Sequence, residues 1–249
     1  MTVMNRYTQF ISEQVRKEQG GGSINEELVK QAGTQLGSNE GGIHVDTENN
    51  KKYYVKNYRN PEQGKVEALT GKIYQHMGIH TLNPERHGES GIKSEWNEHV
   101  KTERPSFYDK VSKKHAGQLG KMYHAAVLTK NWDIAGLEHD NSVHNHKTGD
   151  LHAIDHGGAF HFRAQGGPKE YGSDIAEKQS LRNPSNASGH IFNSAFKQHP
   201  EAEHEGLSAV KKIDDNHIHH LFKNSGLSNW KELHSNFVNR KKALIDSYK

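Results

Sequence analysis

The chain has 249 residues, a length that suits one compact domain or one small bilobal unit. Only 31% of the residues are hydrophobic and the mean hydropathy is −0.99, but apolar residues recur at regular spacing and the aromatic residues can supply a core. We therefore expect a folded protein with a thin core. A formal charge of +3 is too mild to indicate a nucleic-acid partner.

The chain contains no cysteine, which excludes disulfides and thiolate zinc sites and fits a reducing cytosol. No stretch approaches the roughly 20 apolar residues of a membrane span, and residues 1–10 lack the apolar segment of a secretory signal. We therefore expect no stable membrane insertion and no cleavable signal. The expected location is the cytoplasm, or a host or competitor cell that receives the protein by a route without such a signal.

The N-terminal segment is predicted to be helical. Apolar residues at helical spacing predict an amphipathic helix over residues 4–18. After three glycines, Ser23 and Glu26 form a capping box that predicts a second helix over residues 25–31. Residues 1–32 are therefore predicted to form a helical extension that precedes the main fold.

The period of the apolar pattern changes after residue 36. Two short apolar runs, 43–45 and 52–56, flank a polar turn and predict a β-hairpin with a glycine-rich turn at its entry. A helix is predicted from Pro61 to about Gly78. Residues 80–105 are polar and give no clear pattern. Residues 33–105 are predicted to form a first, sheet-containing lobe.

The second half of the chain, residues 106–249, is predicted to form a largely helical lobe. Helical spacing covers 116–128, a short strand is predicted over 151–154, and residues 163–190 are predicted to be a long loop. Two helical stretches, roughly 201–223 and 229–247, close the chain. The predicted fold class is α+β, with a small N-terminal sheet lobe and a largely helical C-terminal lobe.

The glycine-rich turn is a candidate phosphate cradle, because glycines let backbone N–H groups approach phosphate oxygens closely. A glycine-rich turn is more often only a turn, so this signal is weak by itself. The candidate nucleotide-binding residues of the turn are Gly37, Ser38, Asn39, Gly41 and Gly42.

Lys56 is the candidate cation for the phosphates. It ends an apolar strand, where a buried ammonium needs a specific partner, although snorkelling at the strand end is the simpler explanation. Glu67 on the following helix could pair with it, as the strand lysine and the helix glutamate do in protein kinases. Glu62 is the alternative partner, but its place in the first helical turn is explained by the helix dipole.

The acidic and amide candidates are Asp133, Asn141 and Asp155. Asp133 directly follows a buried helix, and Asp155 ends a short apolar strand before a glycine pair. Phosphoryl transfer needs a carboxylate near the acceptor hydroxyl and oxygen ligands for Mg²⁺, and these residues occur in the order that a kinase requires. Asx-turn and helix-capping roles are the alternative for each of them.

At these residues the chain resembles the atypical kinases related to phosphatidylinositol 3/4-kinases, HipA toxins and actin-fragmin kinase. The resemblance covers roughly residues 33–246 and is greatest to bacterial and phage-encoded kinase-like domains, some of them in effectors and polymorphic toxins. The segments that carry it are residues 54–63, Asn131-Trp132-Asp133, Asp140-Asn141, Asp155-His156-Gly157-Gly158, Phe162-Arg163-Ala164-Gln165-Gly166 and Leu181-Arg182-Asn183-Pro184.

The resemblance implies a divergent, bilobal protein-kinase-like fold that uses ATP and Mg²⁺ (or Mn²⁺). It implies that Lys56 contacts phosphate, that Asp133 is the base or orients the acceptor, and that Asn141 and Asp155 bind the metal. Two features depart from the pattern. His156 stands where a small polar residue is more usual, and the interval from Asp133 to Asn141 exceeds the four intervening residues of ordinary protein kinases.

Six histidines surround this segment, and a transition-metal site is one interpretation, since imidazole suits Zn, Ni or Cu. The simpler interpretation is that a chain with 20 histidines places many of them in polar loops. The six are His139, His144, His146, His152, His156 and His161. His217, His219 and His220 are predicted to lie on the surface of the C-terminal helices.

The sequence therefore predicts a kinase that transfers the γ-phosphate to a hydroxyl, on Ser or Thr of a protein, in an effector, toxin or phage protein. A lipid or small-molecule kinase uses the same fold, and the Ala-Pro-Glu sequence that supports peptide docking in ordinary kinases is absent after Asp155. A nucleotidyltransferase and an inactive nucleotide-binding pseudokinase remain as alternatives.

Overall fold

The computed structural model describes residues 28–31 and 39–249. The helix predicted over residues 4–18 lies outside these residues. The helix predicted over residues 25–31 is wrong where it can be examined, because Leu28–Lys30 forms a β-strand paired with residues 44–46.

The first lobe contains a five-stranded antiparallel sheet with the order β1-β2-β3-β5-β4. Its strands are β1 (Leu28–Lys30), β2 (Glu40–Asp46), β3 (Lys52–Asn57), β4 (Glu85–His87) and β5 (Gly91–Glu95). The predicted hairpin is confirmed as β2 and β3. Gly41 lies opposite Lys56, and a side chain there would collide with the carbonyl oxygen of Val55, which explains the glycine.

Helix α1 (Pro61–His76) packs behind this sheet and confirms the predicted helix. Asn60 caps it by accepting a hydrogen bond from the backbone N–H of Glu62, and Pro61 suits the first helical turn. The chain leaves the helix through Gly78, whose φ of 71° favours glycine. The helix therefore holds Glu67, on its buried face, in a fixed position relative to β3.

The second lobe combines a three-stranded antiparallel sheet with helices. The strands are β6 (Val100–Thr102), β7 (Ser142–Asn145) and β8 (Asp150–Ala153). The helices are α2 (Lys113–Thr129), α3 (Glu177–Ser180), α4 (Ala187–Gln198), α5 (Glu201–Lys211), α6 (Asp215–Lys223) and α7 (Trp230–Asp246). Short 3₁₀ turns occur at Pro105–Lys110 and His156–Gly158. The predicted α+β, bilobal architecture is confirmed.

The second lobe differs in detail from the sequence prediction. The single helix predicted over 201–223 is two helices: the first ends at Lys211, and Asp214 caps α6 by accepting from the backbone N–H of Asn216. The loop predicted over 163–190 contains α3 and the start of α4. The sequence places the boundary between the lobes at residue 105. Strand β6 precedes this residue but pairs with β7, which follows it.

The main hydrophobic core runs from α1 through α2 to the C-terminal helices, and Val66, Leu119 and Phe222 are fully buried within it. Arg240 is also fully buried, where it pairs with Glu177 and donates to the carbonyl oxygen of Val127. In the part of the chain that the structure describes, no helix combines the length and apolarity needed to cross a membrane.

Candidate active site

A cavity of about 320 Å³ lies between the two lobes, within the size range of ligand pockets. Its apolar side chains are Leu82, Pro84, Ile92, Trp96, Ala153 and Ile154. Its charged and amide side chains are Lys56, Glu67, Glu95, Asp140, Asn141 and Asp155. The cavity therefore has an apolar wall that suits a flat base and a charged region that suits phosphates. Much of the apolar wall comes from residues 80–105, which the sequence left unassigned.

Lys56 lies buried between two carboxylates. Its Nζ is 2.9 Å from Oε2 of Glu67 and 2.8 Å from Oδ1 of Asp155, so the expected pair with Glu67 is present. The alternative partner, Glu62, pairs with Lys65 instead. Burial by itself would lower the pKa of Lys56, but Glu67, then Tyr58 and Asp155, hold it well above its ordinary value. The ammonium is thus charged at neutral pH.

Glu67 is buried and also accepts a hydrogen bond from the hydroxyl of Tyr58. Gly157 lies against that hydroxyl so closely that a side chain at residue 157 would collide with it. The Glu67 carboxylate is thereby fixed by two partners, and through Lys56 it links helix α1 to the loop that carries Asp155.

Asp133 and Asn141 are joined across the loop that follows α2. The Asn141 amide nitrogen donates to the carbonyl oxygen of Asp133 at 2.8 Å and to its Oδ2 at 3.1 Å. Burial, and then the charges of Asp155 and Asp140, raise the pKa of Asp133 to about 6. A half-buried carboxylate with a pKa near neutrality can accept a proton from a hydroxyl, which is the property that a general base needs.

Asp155 lies two residues after β8 with a φ of 54°, an uncommon backbone conformation for an aspartate. Its side chain is 48% exposed and faces the cavity. Burial would raise its pKa, but the charge of Lys56 and their hydrogen bond hold the pKa below its ordinary value. The carboxylate is therefore ionised at neutral pH.

Asn141 and Asp155 could hold a hard cation such as Mg²⁺. Because the Asn141 nitrogen donates to Asp133, its amide oxygen is the atom left to face the cavity. An amide oxygen beside an ionised carboxylate is a donor set that Mg²⁺ accepts. The residues present therefore fit the metal that the resemblance implies.

The glycine-rich segment is only partly described. Gly37 and Ser38 lie outside the described residues, and Asn39 lies in a bend. The prediction that Gly41 and Gly42 belong to a turn is wrong, because both lie in β2, where they pair with Lys56 and Val55. None of the three described candidates is among the described residues that line the cavity, so their phosphate-binding role stays a prediction.

The six histidines do not converge on one centre. Burial lowers the pKa of His156 to about 4, so this ring is neutral, and its edge meets Tyr74 on α1. His139 contacts His190, at 2.9 Å between ring nitrogens. The transition-metal interpretation narrows to His144 and His146, which share Oε1 of Glu103 at 2.8 and 3.2 Å and form with it a group that could hold a metal ion.

Sequence reasoning missed Gln63 on α1. Its Nε2 lies 3.3 Å from the carbonyl oxygens of Gly157 and Ala164, so it ties the helix to the segment that follows Asp155. A glutamine on the buried face of the helix is the signal that could have found it.

Sequence reasoning also missed Lys169, whose buried Nζ bridges the two loops of the site. It donates to the carbonyl oxygen of Lys130, before Asp133, and at 2.7 Å to that of Gly158, after Asp155. Burial lowers its pKa to about 7, with Glu177 opposing the shift. A neutral amine still has two N–H groups, one for each carbonyl oxygen.

We expect Lys169→Met to change how stability depends on pH. The pKa of Lys169 is about 7 in the folded wild type and has the ordinary lysine value in the unfolded chain. Between these two values the folded protein binds fewer protons than the unfolded chain. The contribution of Lys169 to the unfolding free energy therefore rises with pH in this range. The variant should lack this rise and lose about 1–3 kcal/mol from the two unsatisfied carbonyls. Urea denaturation from pH 6.5 to 9.5 measures both effects. Exposed Lys197→Met is the control, and identical pH profiles for wild type and Lys169→Met would contradict the expectation.

The fold is similar to that of a known kinase. The crystal structure of a Helicobacter pylori proinflammatory kinase, CtkA, matches with a TM-score of 0.55 and 17% sequence identity, over 88% of this chain and 94% of that one. LicA in complex with AMP matches over 97% and 98% with 12% identity, but its TM-score of 0.36 is too low to indicate a shared fold. No family model matches the chain, and no curated protein matches it either. The protein therefore has a kinase-like bilobal fold.

Proposed function

We propose that the protein is an ATP-dependent phosphotransferase that transfers the γ-phosphate to a hydroxyl acceptor. The observation that carries the proposal is the arrangement of four side chains that line one cavity, with Asp133 bonded to one of them. Lys56 bonds to both Glu67 and Asp155, and Asn141 bonds to Asp133. A fold similar to that of a kinase supports the same conclusion.

In the proposed reaction Lys56 contacts the phosphates of ATP, and Glu67 positions Lys56. The acceptor oxygen forms a bond to the γ-phosphorus while the bond from that phosphorus to the β–γ bridging oxygen breaks, and ADP leaves. Asp133 accepts the proton of the acceptor hydroxyl, for which its raised pKa is suited. Asn141 keeps the Asp133 carboxylate in place through its amide nitrogen.

The Asn141 amide oxygen and the Asp155 carboxylate are the groups that would hold Mg²⁺ or Mn²⁺ in the proposed site. The ion would supply positive charge to the phosphates when bound. Lys56, which bonds to Asp155 at 2.8 Å, is the ammonium that would contact the phosphates. The Lys56 ammonium balances the charges of the Glu67 and Asp155 carboxylates by electrostatic attraction.

We further propose that the acceptor is Ser or Thr of a protein and that the enzyme belongs to the atypical kinases that the sequence resembles. The name of the similar structure, a proinflammatory kinase, is in keeping with an effector or toxin role. Such a role would place the enzyme in the cytoplasm or in a recipient cell.

The proposal is tested with ATP labelled in turn at the γ- and at the α-phosphorus, incubated with the protein and Mg²⁺ or Mn²⁺. We expect the γ-label, and not the α-label, to become covalently attached to a protein acceptor or to the enzyme itself. Covalent α-label would indicate nucleotidyl transfer instead. Nucleotide binding in the absence of either transfer would indicate a pseudokinase.

A further inference from the structure

The loop that carries Asp133 presents two large apolar side chains to solvent. Trp132 is 42% exposed and Leu137 is 89% exposed, and among the described residues these are the large hydrophobic side chains that are exposed. Neither of them lines the cavity between the lobes. They therefore lie outside the nucleotide site but in the same loop as the proposed base.

Trp132 lies among three basic side chains. Its indole nitrogen donates to Oε1 of Glu177 at 3.1 Å. Its ring lies 4.6 Å from Nζ of Lys169, 5.5 Å from Cζ of Arg163 and 5.8 Å from Nζ of Lys130. Such distances allow cation–π attraction and keep the indole rigid.

Only one of these three basic side chains directs a charge to solvent. Lys169 bonds to two backbone carbonyls, and Lys130 pairs with Glu177 at 3.5 Å and with Asp174 at 3.8 Å. Arg163 is exposed, and its Nε donates to the carbonyl oxygen of Pro168. In residues 28–31 and 39–249, no carboxylate lies within ion-pair distance of its guanidinium.

The turn that carries Arg163 is fixed beside Asp133. The backbone N–H of Arg163 donates to the carbonyl oxygen of Gly167 at 2.7 Å, and Ala164 is tied to α1 by Gln63. Ala164 and Asp133 both lie against Gly158, since a side chain at residue 158 would approach each of them within 3.6 Å. Arg163 therefore lies at the acceptor side of the site without needing a rearrangement of the turn.

We propose that Trp132 and Arg163 form a subsite for an acidic side chain, Asp or Glu, of the protein acceptor. This inference rests on the proposed kinase function. A guanidinium with free terminal nitrogens binds a carboxylate through two parallel hydrogen bonds, and the exposed indole face packs against the adjoining peptide. The enzyme accordingly selects hydroxyls that have acidic neighbours.

The test uses matched peptides that contain one Ser in an alanine background, with Glu, Gln or Lys placed in turn at each flanking position. At the best position we expect wild-type kcat/KM to favour Glu over Lys about tenfold, since an exposed charge pair and the matching repulsion each contribute up to ~1 kcal/mol. Arg163→Gln should reduce the ratio below about twofold, and Arg163→Glu should invert it. The matched control Arg86→Gln, on exposed strand β4, should keep the wild-type ratio.

The ratio of the two peptides does not depend on the total activity of each variant. Fluorescence anisotropy of the labelled Glu and Lys peptides gives the same ratio from binding alone. Equal use of both peptides by the wild type, or a Glu preference that survives in Arg163→Gln, would overturn the inference. If the wild type transfers no γ-label at all, the proposed function fails, and the binding ratio still decides whether the acidic subsite exists.

Two further assays distinguish a carboxylate ligand from two other anionic ligands, a phosphate group and a membrane surface. A peptide with phosphoserine in place of Glu, preferred when the Glu peptide is not, would reassign the subsite to phosphate and overturn the carboxylate assignment. Arg163-dependent sedimentation with phosphatidylserine vesicles, in the absence of a Glu preference, would assign the surface to a membrane and also overturn it.

Discussion

Replacing Asp155 with alanine should reduce γ-phosphate transfer by about 10³-fold or more. A metal at a phosphoryl-transfer site stabilises the transition state by several kcal/mol, and each 1.4 kcal/mol corresponds to a tenfold change in rate. Asp155 provides the ionised carboxylate of the proposed metal set and also bonds to Lys56. The variant should also need a higher Mg²⁺ concentration to bind ATP, because Asn141 alone would remain.

Folding of the Asp155→Ala variant should be nearly unchanged, which makes the loss of transfer interpretable. The Asp155 side chain is 48% exposed, and Lys56 keeps its pair with Glu67 in the variant. Asp215→Ala is a suitable control, since Asp215 is also partly exposed and also pairs with a lysine, Lys241, at 2.6 Å. Wild-type transfer by Asp155→Ala would exclude Asp155 as a metal ligand.

Replacing Lys56 with methionine should destabilise the protein by about 3–5 kcal/mol. The change leaves the Glu67 carboxylate buried with only the hydroxyl of Tyr58, and an unpaired buried charge costs about this much. The pKa of Lys56 is raised in the folded protein. Its full contribution to the unfolding free energy should therefore be present below the ordinary lysine pKa, and it should be lost only as the pH rises above that value. Urea denaturation near pH 7.5 measures the effect.

A second substitution separates loss of the ion pair from loss of packing. Glu67→Gln, added to Lys56→Met, removes the unpaired charge and should restore at least half of the lost stability. Lys52→Met is the control on the same strand, because Lys52 is exposed, and its stability should stay within about 0.5 kcal/mol of the wild type. No rescue in the double variant would show that Glu67 does not depend on the Lys56 charge for its burial.

Elements with strong local patterns could be predicted from the sequence. The hairpin of β2 and β3 follows from two apolar runs around a polar turn, and α1 follows from a proline start and an apolar stripe. Strand β1, with three residues, has no such pattern, and its pairing with β2 decides its conformation. Strand β4 is polar and equally short, so it too is set by its partner, β5.

Some residues of the candidate site could also be predicted from the sequence, and others could not. Lys56, Asp133, Asn141 and Asp155 could be named because their order and strand context are specific, and the structure brings them to the same part of the molecule. Lys169 could not, because it acts by donating to backbone carbonyls of two other loops, whereas Gln63 was marked only by its place on the buried face of α1. The apolar wall was missed because its residues come from short strands and loops without a periodic pattern.

The central claim is that one nucleotide–metal site is built by Lys56, Asn141 and Asp155 beside Asp133. A crystal structure with Mn²⁺ and a non-hydrolysable ATP analogue, with the anomalous signal of manganese recorded, tests it most directly. The account predicts manganese at the Asn141 and Asp155 oxygens, Lys56 on a phosphate oxygen, and the base against Leu82 and Trp96. A nucleotide bound elsewhere, or manganese away from both Asn141 and Asp155, would contradict the account.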